Sequence, residues 1–209
     1  DWILNDIQVP YMMEYLICNN GAIVVTGSID LTGTKLPELP RFGMRMELHQ
    51  PYENLTYYGR GPFENYIDRY SGAFIGRYED KVENQFYWYI RPQETGNKTD
   101  VRWLSLLDSE GQGVRITGLQ PISFSALHFS PEDLDPGLTR KLQHTIDIVP
   151  QKNIFLHVDL KQRGLGGDNS WGMYPHNEYR LLDKKYTYSY MIELVEKGSD
   201  KNDYLNSRK

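Results

Sequence analysis

The feature that most constrains the fold is a period-two alternation of apolar and polar residues. In the stretch RFGMRMELH (41–49), the apolar side chains on one face are Phe42, Met44, Met46 and Leu48. In YTYSYMIEL (186–194), one side carries Tyr186, Tyr188, Tyr190, Ile192 and Leu194. Successive side chains of a strand point to opposite faces, whereas a helix repeats every 3.6 residues, so this pattern predicts strands.

Further strand-like runs fill most of the 209-residue chain. They are 11–18, 22–31, 101–108, 113–119, 122–127, 142–149 and 154–160, with Gly, Pro, Asn and Asp between them. Only SPEDLDPGL (130–138) suggests a helix, with Ser130 as its cap, Pro131 in its first turn, and Pro136 and Gly137 as its stop. Strands without intervening helices predict an all-β, large antiparallel β-sandwich over residues 1–196, followed by a polar tail at 197–209 that we expect to be disordered.

The composition of the chain argues against some classes of binding partner. The formal net charge is −5 and the basic residues form no stripe, which argues against nucleic-acid binding. No apolar run is long enough to span a membrane. The chain starts at Asp1 without a leader, which suggests a fragment or a processed product and leaves the compartment open between cytoplasm and bacterial periplasm.

Two polar loops carry clustered functional groups. In YGRGPFENYIDR (58–69), mutual pairing of the acidic and basic side chains is the favoured interpretation. In RPQETGNKTDVRW (91–103), Glu94 and Asn97 are candidates for binding sugar hydroxyls, while an equally weighted alternative is a turn that satisfies its own backbone.

The five histidines show no metal-binding spacing, and the single cysteine excludes a cysteine-rich zinc site, so no metal ligands are predicted. His176 stands out only because it follows a tryptophan on a polar loop. In that stretch, LGGDNSWGMYP (165–175), Trp171 is surrounded by glycine, acid, amide and serine residues. An outward indole can stack on the C–H face of a sugar while polar neighbours bond its hydroxyls; a ring folded back onto the sandwich is the alternative.

Four motifs in this order resemble the C-terminal domain, also called the small chain or domain 5, of glycoside hydrolase family 2 β-galactosidases. They are LPRFGMRMEL, YYGRGPFENYIDR, RPQETGNKTDVRW and GLGGDNSW, and the resemblance extends from about Leu39 to Val195. It implies a supersandwich of the galactose-mutarotase-like type, and a fragment that lacks the first strands of the family's domain, at its N-terminal edge.

The resemblance also implies which functional residues lie in this chain and which lie in another domain. The family's catalytic glutamates, and its Mg and Na ions, lie in a separate barrel domain, so no catalytic residue and no cofactor is assigned to this chain. Trp171 corresponds to the family's sugar-stacking tryptophan, with Asp168, Asn169 and Ser170 shaping its loop; Asp168, Asn169 and His176 are weaker candidates for sugar contact. The expected partners are a galactoside and the barrel domain, with homo-oligomerisation left open.

Two other functions stay open at this stage. A stand-alone mutarotase-like epimerase needs a base and an acid on one sugar, for which Glu94 with His128 or His176 are candidates. A carbohydrate-binding module would need only the exposed ring and its polar neighbours.

Overall fold

The computed structural model describes residues 2–4, 7–49, 51–135 and 144–198. The strands are β1 Trp2–Leu4, β2 Ile7–Val9, β3 Tyr11–Ile17, β4 Ile23–Asp30, β5 Arg41–Leu48, β6 Asn54–Gly61, β7 Phe74–Lys81, β8 Lys98–Leu107, β9 Gly113–Leu127, β10 Ile154–Gln162 and β11 Lys185–Val195. One short α-helix, α1 Pro131–Leu134, lies between β9 and β10.

All described strand pairs are antiparallel. Strands β1 and β2 form a small sheet of their own. The large sheet has nine strands in the order β3-β4-β11-β9-β8-β6-β7, with β10 joining β9 to β5. The prediction of a large antiparallel all-β sandwich is therefore confirmed.

Strand β9 is long enough to connect two layers. One of its edges pairs with β11 from Gly113 to Gly118 and then with β10 from Ser123 to Leu127. Because two strands share one edge, the sheet folds over and brings their faces together. The ring of Phe42 on β5 lies 5.5 Å from that of Tyr188 on β11, and the Tyr188 hydroxyl donates to Val158 O on β10 at 3.0 Å.

The core fills the space between these layers. Tyr186, Tyr188 and Tyr190 are buried on the same side of β11, as their alternation predicts, although Leu194 at the strand's end is 79% exposed. On β5 the predicted apolar face is also the inner one. Burial of these rings and aliphatic chains supplies most of the stabilisation of a sandwich.

Three local predictions were incomplete or wrong. The runs 113–119 and 122–127 form one continuous strand, β9, and the loop predicted at 58–69 begins within strand β6. The strand predicted at 142–149 is wrong in its described part: Thr145–Asp147 form a 3₁₀ turn, and Ile146 and Val149 are 89% and 75% exposed. Asp147 Oδ2 accepts from the His144 backbone N–H at 2.7 Å, which favours the turn over strand pairing.

The ends of two further predictions fall outside the described ranges. The helix starts as predicted, since Ser130 and Asp133 form a reciprocal capping box and Pro131 occupies the first turn. Its predicted stop at Pro136 and Gly137 lies outside the described residues. So does the tail from residue 199 onward, and the disorder predicted there stays a prediction.

Candidate functional site

The loop that joins β10 to β11 is fastened at its base. We call residues 163–180 the Trp171 loop. Gly164 N–H donates to Tyr179 O at 2.8 Å and closes its two ends. Glu38, from the segment before β5, accepts from Arg163 Nη1 at 2.9 Å and from Arg180 Nε at 2.5 Å. One carboxylate therefore ties the first residue of the loop to the last.

The surroundings of Glu38 favour its charged form. Its side chain is only 5% exposed. Burial by itself raises the pKa of a carboxyl, but the hydrogen bonds from Arg180 and Arg163 outweigh burial and hold the pKa of Glu38 below its ordinary value. Both guanidinium groups also lie over the Tyr174 ring, at 5.5 Å for Arg163 and 4.8 Å for Arg180. These cation–π contacts attach the returning half of the loop to the same base.

The tip of the loop has a second fastening, which we call the clasp: His176 Nε2 and Asp168 Oδ1 lie 2.8 Å apart. The hydrogen bond to Asp168 raises the pKa of His176, so the charged imidazolium is favoured at the clasp. Within the turn, Asn169 Oδ1 accepts from the Trp171 backbone N–H at 2.8 Å. The predicted loop-shaping roles of Asp168 and Asn169 are thus visible as specific hydrogen bonds.

Two glycines are required by the path of this loop. A Cβ on Gly167 would lie 2.2 Å from Met173 O, so only glycine lets these backbone segments approach so closely. Gly172, next to the tryptophan, has φ of +95°, a conformation that side chains strongly disfavour. The glycines of this sequence therefore permit a tight, fastened turn.

The indole of Trp171 points outward and is 93% exposed. Of the two orientations left open by the sequence, an outward indole and a ring folded back onto the sandwich, the structure has the outward one. Leu165, Met173 and Tyr174 on the same loop are also more than half exposed. Large exposed apolar side chains on a fastened loop are typical of a contact surface.

A groove of about 500 Å³ lies beside the loop, lined by Asp68, Arg69, Leu165–Asp168, His176 and Tyr179. Asp68 Oδ2 accepts from Gly166 N–H at 2.8 Å, which joins the 58–69 segment to the Trp171 loop. The groove is therefore lined by a cation, carboxylates and an imidazole.

Glu94 belongs to a separate cluster. Its carboxylate forms a bidentate ion pair with Arg41, whose Nη1 lies 2.9 Å from Glu94 Oε2. Arg41 also contacts Asp159 Oδ2 at 3.0 Å and His157 Nδ1 at 3.0 Å. Nothing in these contacts joins Glu94 to the clasp residues Asp168 and His176.

Asn97 is fully buried, which corrects its nomination as a sugar ligand: a sugar would not reach it in this conformation. Its Nδ2 donates to Asn65 O at 2.7 Å, and Asn65 N–H in turn donates to Asn97 O at 2.8 Å. These bonds hold two polar loops together, so the Asn97 side chain bonds the backbone of a different loop and not, as the alternative interpretation supposed, that of its own turn.

Residues 4–192 match a protein family that is described as the beta galactosidase small chain. The chain belongs to this family. The small-chain domain is 36% identical over 87% of its length to the beta-galactosidase of Priestia megaterium (strain DSM 319 / IMG 1521) and 34% identical over 90% to that of Streptococcus thermophilus. Against the beta-galactosidase of Halalkalibacterium halodurans (strain ATCC BAA-125 / DSM 18197 / FERM 7344 / JCM 9153 / C-125) the identity is 33% over 83% of the chain.

These relatives are much longer proteins. The chain spans only 17–18% of the length of each of the three. The small-chain domain is therefore compared with one portion of each relative.

The small-chain domain also contains a strongly perturbed internal ion cluster. Burial raises the pKa of Asp159 to about 7, although the Arg41 guanidinium opposes this. Burial, aided by the charge of Arg41, lowers the pKa of His157 to about 4. Asp159 and His157 are buried on β10, so we interpret this cluster as part of the domain's internal structure.

The predicted mutual pairing of the charged side chains in the 58–69 segment is met only in part: Arg69 pairs with Glu64, whereas Arg60 pairs with Asp100 outside the segment and Asp68 accepts from Gly166 N–H. Arg69 Nη2 contacts Glu64 Oε1 at 2.6 Å, and Arg60 Nε contacts Asp100 Oδ2 at 2.5 Å. His128 Nε2 lies 3.1 Å from Glu53 Oε2, so this partner of His128 is not part of the Trp171 loop.

In the described ranges, no three His, Cys, Asp or Glu side chains converge as metal ligands. Over the same residues, no helix has the length and apolar character needed to cross a bilayer.

Sequence reasoning missed the residues that fasten the Trp171 loop, namely Glu38, Asp68, Arg163, Tyr174 and Arg180. Arg163 and Arg180 bracket the loop, and two like charges at its ends signal a shared counter-ion. No local pattern identifies that counter-ion, because Glu38 lies 125 residues before Arg163 in sequence.

Proposed function

We propose that this chain is the small-chain component of a β-galactosidase, and that Trp171 stacks on a galactoside whose bond is cleaved by carboxylates in another part of the enzyme. The observation that carries the proposal is a nearly fully exposed indole held on a doubly fastened loop. Membership of the small-chain family and the short span of the chain within its relatives support the division of labour.

Physical chemistry favours a sugar as the partner of this ring. A pyranose has an apolar C–H face that packs on an aromatic ring, and its hydroxyls need donors and acceptors at the edge. Asp168 and His176 provide charged groups of both signs eight residues apart and in direct contact. Fastening the loop before the sugar arrives reduces the ordering cost of binding.

The chain is assigned no catalytic role in bond cleavage. A retaining glycosidase needs two carboxyl groups about 5–5.5 Å apart across the scissile bond. Asp168 is paired with His176, Glu38 with two arginines, and Glu94 with Arg41, so these carboxylates already serve as structural ion pairs. We therefore place the nucleophile and the acid in the expected barrel module.

The proposal is tested by Trp171→Ala in the β-galactosidase that contains this chain. Loss of the stacking face should remove about 1–2 kcal/mol, so kcat/KM for lactose should fall roughly 5–30-fold. Trp171→Phe should retain part of the activity, because a smaller ring still offers a stacking face. Phe74→Ala is a matched control, since Phe74 is an aromatic residue 74% exposed on β7. Unchanged kinetics for Trp171→Ala would contradict the proposal.

The epimerase alternative gains no support from the arrangement of its candidates. Glu94, His128 and His176 each have a different partner, namely Arg41, Glu53 and Asp168. Polarimetry with fresh α-galactose tests it directly, and acceleration over buffer would revive it.

A further inference from the structure

A second cavity, of about 510 Å³, is lined in part by residues of the 62–69 segment, which also contributes to the groove at the Trp171 loop. We call it the aromatic cavity. Its lining includes Phe63, Glu64, Arg69, Tyr87, Tyr89 and Lys98. Its size and its combination of rings with a few polar groups are typical of a small-molecule site. Neither the proposed function nor the stacking role of Trp171 uses it.

The charged group in the lining of this cavity is deeply buried. Lys98, the first residue of β8, is 2% exposed. Its Nζ donates to Gln85 Oε1 and to Gly96 O, each at 3.0 Å. The Nζ also lies 6.0 Å from the centre of the Tyr57 ring, and the third N–H donor of the ammonium group has no oxygen acceptor among the described residues. Burial lowers the pKa of Lys98 to about 8, because it disfavours the charged ammonium, although the carboxylates of Glu64 and Asp80 oppose this.

The walls of the aromatic cavity offer ring faces to a ligand. Phe63 and Tyr87 are 56% and 59% exposed, and the Tyr87 and Tyr89 rings lie 4.5 Å apart. Tyr89 is fixed by its hydrogen bond to Glu64, and Glu64 Oε2 also accepts from Gly96 N–H at 2.8 Å. The rings therefore stand on a bonded framework that is present before any ligand arrives.

The charges around the aromatic cavity balance. Lys98 and Arg69 are cationic, whereas Glu64 and Asp80 are anionic. A free anion would meet the two carboxylates, and a free cation would meet the buried ammonium. A neutral polyhydroxylated ring avoids both conflicts, because each hydroxyl can accept from Lys98 or donate to a carboxylate while the C–H face packs on an aromatic ring.

We propose that the aromatic cavity is a second saccharide-binding site of this chain, with Lys98 as its buried donor and Phe63 and Tyr87 as its stacking walls. It does not depend on Trp171. Arg69 lines both the aromatic cavity and the groove beside the Trp171 loop, which puts the two sites next to each other. Adjacent sites of this kind would hold two sugar units on one face of the domain.

The test is a titration of the ¹⁵N-labelled 209-residue chain with galactose and with lactose, followed by NMR. The amide signals of Tyr87, Gly96 and Lys98 should shift with a Kd on the order of 1–10 mM, as expected for a single stacked sugar ring. The same shifts should occur in Trp171→Ala. Tyr87→Ala and Phe63→Ala should each weaken them at least about fivefold.

Further variants separate binding from folding and from the Trp171 proposal. Lys98→Met keeps the side-chain length but removes the donor, and we expect binding to be lost while the remaining spectrum stays dispersed. Ile146→Ala, at an exposed apolar residue in a 3₁₀ turn, should bind like the wild type. The inference is overturned if the three amides do not move at roughly 100 mM sugar, well above the expected Kd, or if Trp171→Ala abolishes the shifts. Kinetics of Trp171→Ala in the enzyme test the proposed function independently of this result.

Discussion

At the scale of single residues, the clasp between His176 and Asp168 makes a prediction about charge. Because Asp168 raises the pKa of His176, the ion pair is fully formed below the ordinary histidine pKa and is lost as pH rises through the pKa of the folded chain. NMR titration of His176 should give a pKa above about 6.5. In Asp168→Asn the pKa should return towards that value, and an unchanged pKa in that variant would exclude the clasp.

His157 predicts the opposite response to pH. Its pKa falls from 6.5 to about 4 on folding, so the unfolded chain binds the extra proton between these values. The stability that His157 contributes is present above pH 6.5 and is lost as pH falls towards 4. A shift of this size corresponds to about 3 kcal/mol.

Urea unfolding at pH 7.5 and 4.5 measures this contribution. The wild type should lose more unfolding free energy between the two pH values than His157→Gln does. Asp159 is present in both proteins, so its own titration largely cancels in the comparison. Equal losses in wild type and variant would show that His157 titrates normally.

Residue-level sequence reasoning left the outward and the folded-back orientation of the Trp171 ring open, and it nominated Asn97 as a candidate for binding sugar hydroxyls. Trp171 was recognisable because glycine and short polar side chains around it offer no apolar cover. Asn97 lies in an equally polar stretch, yet it is buried because its loop packs against the 62–69 segment through Asn65. That contact joins residues 32 positions apart, so no local sequence pattern indicates it.

At the scale of elements, the Trp171 loop depends on the close approach of Gly167 to Met173. Gly167→Ala would place a methyl group against backbone, and we expect the free energy of unfolding to fall by about 1–3 kcal/mol. Gly166→Ala is the matched control, because a Cβ there meets its nearest atom, Asp68 Oδ2, at 3.8 Å. That change should stay within about 0.5 kcal/mol of the wild type. Urea denaturation compares the free energies of unfolding of the two variants. Equal values would mean that the loop backbone shifts to accommodate the methyl group at no cost, which would contradict the prediction.

Strands were predictable where one face is buried and the other is exposed to solvent. β5 and β11 have that character, and their alternation identified them. β7 was missed because it lies at the edge of the sheet and reads FIGRYEDK, in which six of the eight residues are exposed and four are charged. At 142–149 apolar residues alternate without a partner strand in the described part, and a local hydrogen bond from His144 to Asp147 sets the structure instead.

At the scale of the whole molecule, the sandwich presents a loop whose tryptophan, Trp171, faces outward. Two layers joined by β9 leave the β10–β11 connection at one end, where Glu38, Arg163 and Arg180 fasten it. The chain spans less than a fifth of the beta-galactosidases it resembles. The account therefore requires that most of the sugar's contacts, and all of the bond-breaking chemistry, come from elsewhere in the enzyme.

The most direct test of this account is a crystal structure of the enzyme that contains this chain, with galactose bound. We expect the Trp171 indole to lie in van der Waals contact with the C–H face of the sugar, at about 4 Å, with the clasp between Asp168 and His176 intact. A galactose held at the catalytic carboxylates with Trp171 pointing into solvent, more than about 8 Å away and so about twice the contact distance, would contradict it.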